Sequence, residues 1–225
     1  MRFATSLLLA SAAALSAAPK PKPAFRFSPV PSASPVVAEQ RREAQQQHTD
    51  ALKLLSEGKL VEARTGFQNV LNLSPNNPSA LLNLGIVEQR LKNYSESERI
   101  LRRAVQAAPT SGTGWLLLGT VSLEQGRTDA AFAHFAQAAY LDPKNPQTRV
   151  YLAITLARKG WNSAAEDEFR AALELDGSLA DAHYNLATLY MQRVPPAIEL
   201  ARRHYHQAIR LGAAPDPALA ARFDD

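Results

Sequence analysis

Apolar and small residues recur at three- and four-residue spacing along most of this chain, the rhythm of helices that bury one face. The patterned stretches predict helices at 36–56, 78–91 and 94–107, 112–125 and 128–140, 146–158 and 162–174, and 180–192. Another follows Pro195-Pro196, with Ala201, Tyr205, Ala208, Ile209 and Leu211 on its apolar face and the two prolines in its first turn. A short one closes the pattern at 218–223, with Asp216 as cap and Pro217 as its first residue. Ser79, Asn93, Thr128 and Asn162 are candidate caps for other helices.

The pattern itself repeats. Asn83-Leu84-Gly85 returns as Leu117-Leu118-Gly119, and Ala107-Ala108-Pro109 as Leu141-Asp142-Pro143, each 34 residues later. Turn positions run Gly58, Lys92, Gly126, Gly160; small residues Ala63, Ser97, Ala131, Ala165; bulky ones Phe67, Leu101, Phe135, Phe169. Leu84, Leu118, Leu152 and Leu186 share a register in the first helix of each unit, and each precedes a tiny residue. A fixed period of this length marks a solenoid. Glycine at the turn accepts the left-handed backbone of a helix stop. Small residues at Gly85 and Ala131 allow two helices to approach closely, the bulky residue fills the space beyond, and the closing proline stops the second helix.

The run Trp115…Leu118-Gly119…Gly126…Ala131…Phe135…Ala138…Pro143 resembles the tetratricopeptide repeat, and the resemblance extends from about Gln40 to Gly212. It implies an all-α, right-handed α-solenoid of about five helix-turn-helix repeats with a short C-terminal capping helix. The expected units are 44–77, 78–111, 112–145, 146–179 and 180–213, with 214–225 as the cap and 36–225 as the whole domain. The first unit reads as an atypical end, because Asp50 stands where later units carry Leu and its front is polar.

Outside the repeats, Met1–Ala18 reads as a signal peptide: Arg2, an apolar core at Phe3–Leu15 and small residues at Ser16-Ala17-Ala18. An exported protein, periplasmic or secreted, is expected, and the Ala/Arg-rich composition points to a bacterial source. Residues 19–35 form a Pro-rich linker with Lys20, Lys22 and Arg26. The chain has no cysteine, which excludes disulfides, thiolate zinc sites and a lipoprotein anchor. A formal charge of +4, scattered along the chain, does not argue for nucleic acid.

Candidate chemistry is thin. In His204-Tyr205-His206 the imidazoles point to different flanks of a helix, which disfavours shared metal ligation. His134 and His183 read as isolated, and Glu166-Asp167-Glu168 as a solvated face. No Gly-rich phosphate loop exists, and no serine has a base beside it. The expectation is a non-catalytic protein with no cofactor, metal or small-molecule substrate.

The repeat resemblance implies that first helices line a concave groove for a partner's peptide or helix. The groove residues expected are Leu82, Ile86, Arg90, Leu116, Leu123, Val150, Ile154, Arg158, Tyr184 and Met191. They belong to four ladders that also hold His48, Leu52, Leu55, Gln89, Thr120, Glu124, Ala157, Thr188 and Gln192. An exposed apolar strip of this kind marks a binding surface; the opposing reading is that the chain's own ends fill it. Some members of the family clamp acidic C-termini with Lys, Arg and Asn, and here only Asn83 matches that set. The function expected is a protein–protein interaction scaffold of the envelope or secreted space. Weak self-association through the end repeats, or a role as accessory subunit of an envelope or glycan enzyme system, are the alternatives.

Overall fold

The computed structural model describes residues 35–223, so the expected leader and nearly all of the linker lie outside the described residues. Those described form eleven helices and no strands: α1 Pro35–Ser56, α2 Leu60–Leu73, α3 Pro78–Arg90, α4 Tyr94–Ala107, α5 Gly112–Glu124, α6 Thr128–Leu141, α7 Pro146–Arg158, α8 Asn162–Leu175, α9 Ala180–Met191, α10 Ile198–Arg210 and α11 Pro217–Ala221. They pair in sequence order, α1 with α2 through α9 with α10, and each pair packs on the next, giving an α-solenoid. Among the described residues no helix is long and apolar enough to cross a membrane.

Short-range chemistry explains the boundaries. Gly58, Gly126 and Gly160 take φ of 74°, 73° and 76°, and Lys92 holds the same left-handed turn at 63° without being glycine. Pro78, Pro146 and Pro217 each open a helix, where a missing N–H costs nothing. The caps differ in part from expectation. Asn77 and Asn145, placed before those prolines, accept from Ala80 and Thr148 N–H at 3.1 Å, so Ser79 is not the cap. Thr128 and Asn162 lie inside their helices, and Asn93 makes no capping bond. Asp216 caps α11 as expected, accepting from the Leu219 N–H at 3.0 Å.

The core lies between paired helices. Phe67, Leu101, Phe135 and Phe169 are buried, each one turn beyond a buried Ala63, Ser97, Ala131 or Ala165. Gly85 faces Leu101 so closely that a Cβ there would sit 2.5 Å from its Cδ2, and Gly119 is similarly pressed by the Phe135 ring. Ser97 keeps its place among alanines by donating to the Gly85 carbonyl at 2.7 Å. The Phe135 ring then stacks on Tyr151 of the next unit, centroids 5.4 Å apart. Each such phenylalanine contributes about 3 kcal/mol by burial.

The fifth unit departs from the expected form. Pro195 and Pro196 lie in the link after α9, Val194–Pro195 is cis, and α10 begins only at Ile198. Leu219 and Phe223 of the C-terminal segment join the core of the last repeats, with Phe223 against Tyr205 at 5.4 Å.

Candidate protein-binding groove

First helices α3, α5, α7 and α9 form the groove. Two adjoining clefts run across them, of about 290 and 330 Å³. The first is bounded by Gln89, Thr120, Leu123, Glu124 and Tyr151, the second by Ala157, Asn185, Thr188 and Gln192, and Ile154 and Arg158 line both. Helical spacing puts these residues on one face: Thr120 with Leu123 and Glu124, Ile154 with Ala157 and Arg158. The floor is mixed. Gln89 donates to Thr120 Oγ1 at 3.3 Å, while Leu123 and Ile154 supply half-buried apolar surface. Arg90 and Arg158 stand exposed at the edge and make no ion pair among the described residues.

Of the expected groove residues, Leu123, Ile154 and Arg158 come together in these clefts. Ile86 is half-buried on the same ladder, though it lines neither cleft. Val150 and Met191 do not belong to the groove: they are 1% and 4% exposed and sit in the hydrophobic core. Leu82 and Leu116 are half-buried against the cores of neighbouring repeats. Val150's register faces the seam between successive first helices, so the first ladder is spent on packing. Tyr184 is held by the C-terminal segment, donating its hydroxyl to Asp216 Oδ2 at 2.7 Å. That bond holds the Asp216 carboxyl below its ordinary range and raises the Tyr184 hydroxyl above its own. Arg222 also donates to the Met191 carbonyl at 3.3 Å. The chain's own end therefore covers one extremity of the predicted strip and leaves its middle open.

Tyr151 and Asn185 are groove residues that the four ladders missed. They share a register with Asn83 and Leu117, and extending the period to a fifth ladder finds them.

Three other expectations are corrected. Glu166 is not solvated: it is buried, pairs with Arg170 at 2.7 Å and with Arg193, and accepts from the Tyr190 hydroxyl at 3.0 Å. Glu168 pairs with Arg149 at 2.8 Å, leaving only Asp167 of that cluster exposed. Neither His134 nor His183 is isolated: His134 Nδ1 lies 3.2 Å from the Ser122 hydroxyl, a base beside a serine that the sequence reading did not expect, and His183 Nδ1 lies 2.8 Å from Nδ1 of His204.

Residues 54–119 and 113–145 match two family models, each described as tetratricopeptide repeat. The chain therefore carries tetratricopeptide repeats across residues 54–145. Human tetratricopeptide repeat protein 7B is 35% identical over 89 residues, 40% of this chain and 11% of that protein. Cellulose synthase operon protein C of Xanthomonas axonopodis pv. citri is 31% identical over 152 residues, 64% of this chain and 10% of that protein. The chain thus matches about a tenth of the length of these curated relatives. Among solved structures, YrrB, described as a TPR protein with an unusual peptide-binding site, superposes with a TM-score of 0.63 at 25% identity. That match covers 84% of this chain and 95% of YrrB. A tetratricopeptide repeat solenoid supports a protein–protein interaction scaffold.

Proposed function

We propose that the groove across α5, α7 and α9 docks an extended peptide or a helix of a partner protein. The observation that carries this is the pair of adjoining clefts that share Ile154 and Arg158, open in the middle of the solenoid and rimmed by unpaired guanidinium groups. The peptide that fits has apolar side chains for Leu123 and Ile154 and a carboxylate for Arg158 or Arg90. Burying two such apolar side chains gives a gross ~3–6 kcal/mol. Association costs remove much of it, so hydrogen bonds and the carboxylate contact must supply the rest of any affinity tighter than about millimolar. The peptide-binding site of YrrB supports the reading.

Selection of random peptides on the full chain tests it. Peptides enriched in apolar and acidic residues that lose binding to Ile154→Glu and to Arg158→Glu, with both variants folded by circular dichroism, uphold the groove. Peptides that bind parent and variants alike would refute it.

The protein works outside the cytoplasm in this account. Arg2, the apolar stretch Phe3–Leu15 and the small residues before Pro19 support an exported chain. N-terminal sequencing of the protein from its host tests this, since an intact Met1 start in the cytosolic fraction would contradict it. The 152-residue match to a cellulose synthase operon protein favours a second reading, in which the scaffold serves a glycan-assembly enzyme. A partner without enzymatic or envelope function would count against that reading.

A further inference from the structure

We propose that the cleft between α8, α9 and α10 binds a phosphate monoester, its dianion held by Arg170, Arg203 and Arg210 around the His183–His204 pair. The cleft measures about 430 Å³ and lies where the second helices α8 and α10 flank α9, on residues that the groove clefts do not use. Three guanidinium groups, two imidazoles and the Gln207 amide line it, and no carboxylate does. Arg170 is compensated by Glu166, which also serves Arg193. Arg210 bonds only the neutral Gln207 of its own helix, at 3.1 Å, and Arg203 makes no ion pair or hydrogen bond among the described residues. Cationic charge therefore gathers at one cleft without its counter-charge.

Comparison of the repeats makes the point sharper. Residues of α8 and α10 correspond at an offset of 36, as Phe169 with Tyr205 and Ala165 with Ala201. Asp167, Glu168 and Glu174 thus become Arg203, His204 and Arg210: acid is replaced by base at three places on one face. On the facing first helix Arg149 becomes His183. The fourth repeat fills this place with the Arg149–Glu168 ion pair at 2.8 Å, and the third with Trp115 against His134, centroids 5.9 Å apart. In the fifth, a neutral histidine pair stands where a compensated ion pair stood.

Chemistry selects the ligand. A metal ion would meet guanidinium groups on every side and is repelled. An oxyanion meets planar forks of N–H donors that match its geometry. Its dianion balances Arg203 and Arg210. The cleft is of small-molecule size. Half-exposed Leu200 and the Tyr190 ring offer an apolar wall to whatever carries the phosphate.

The test is calorimetry on the full chain with inorganic phosphate and phenyl phosphate, against chloride at matched ionic strength. Both phosphates are expected to bind, phenyl phosphate more tightly. Arg203→Gln and Arg210→Gln should each weaken binding about tenfold. Both side chains are exposed, so both variants should keep the parent's melting temperature in chloride. Histidine ring signals of His183 and His204 should move on titration, and the groove variant Ile154→Glu should bind phosphate as the parent does. Vesicles containing phosphatidic acid separate the sources. Capture that free phosphate displaces assigns a lipid headgroup, whereas binding of the soluble ester alone assigns a free metabolite. No binding above the chloride control, equal binding by the Arg203→Gln/Arg210→Gln double variant, or vesicle capture that phosphate does not displace would overturn the proposal.

Discussion

Replacing Lys92 by glycine should stabilise this protein, and the turn geometry says by how much. Lys92 holds φ 63° where the equivalent residues are glycines at 73–76°. Left-handed backbone costs an L-residue about 1–2 kcal/mol. Glycine returns roughly 0.5–1 kcal/mol of that as extra freedom in the unfolded chain. The balance is a gain of ~0.5–1 kcal/mol for Lys92→Gly. The Lys92 side chain is exposed and has no partner among the described residues, so no other interaction is lost. Gly126→Ala is the reciprocal change. A Cβ there meets nothing within 4 Å, so its cost of ~0.5–1 kcal/mol comes from the backbone alone. In a chain of this size 1 kcal/mol moves the melting temperature by about 2–4 °C. Thermal melts followed by far-ultraviolet circular dichroism read both changes. A Lys92→Gly variant that melts at or below the parent, beside a Gly126→Ala variant that melts with it, would refute the claim that these turns are held against a left-handed penalty.

Three further outcomes follow from packing and charge. Arg64→Met should destabilise by about 3 kcal/mol, because Glu88, 3% exposed, loses the bidentate partner that meets it at 2.8 and 3.0 Å and keeps only Asn93; urea unfolding measures it. Gly119→Val should cost at least about 1–3 kcal/mol by driving into Phe135, whereas Gly177→Ala, whose new Cβ meets only the Leu173 carbonyl at 3.7 Å, should melt close to the parent. Stability should also fall as pH drops from about 6.5 toward 4. Burial, with His183 and Arg203 beside it, lowers His204 to about 4, so the fold holds the ring neutral while the unfolded chain takes up a proton. The groups facing it are His183 and Tyr190 on α9, and Arg170 and Glu166 on α8. Discounted for its partly exposed setting, this share of the loss is roughly 1–2 kcal/mol, and melts across that range should show it missing in His204→Gln, which keeps only the part due to His48, His134 and His183, themselves lowered by burial.

Helix positions were legible because local rules set them: glycine stops, prolines at helix starts, and small residues facing large ones at a fixed period. The caps at Asn77 and Asn145 were missed because an Asn-Pro step reads equally as a turn, although the same kind of step was read as cap and first residue at Asp216-Pro217. The groove was half legible. Thr120, Leu123, Ile154 and Arg158 meet as their register implies. Val150 and Met191 share the same spacing yet turn into the core, because helix rotation relative to a neighbour is not written in the period of either helix. The His183–His204 pair and the Arg64–Glu88 pair join residues 21 and 24 apart on facing helices. Neither type nor spacing announces such pairs until the two facing helices are aligned position by position.

Hydrogen–deuterium exchange of the full chain, with and without a peptide selected on it, tests the central claim most directly. The account predicts added protection at Thr120–Glu124 and Ile154–Arg158, extending to Thr188–Gln192, and no change along α4, α6 or α8. Protection confined to those second helices, or protection at the first helices that persists in Ile154→Glu, would contradict a peptide seated in the concave groove.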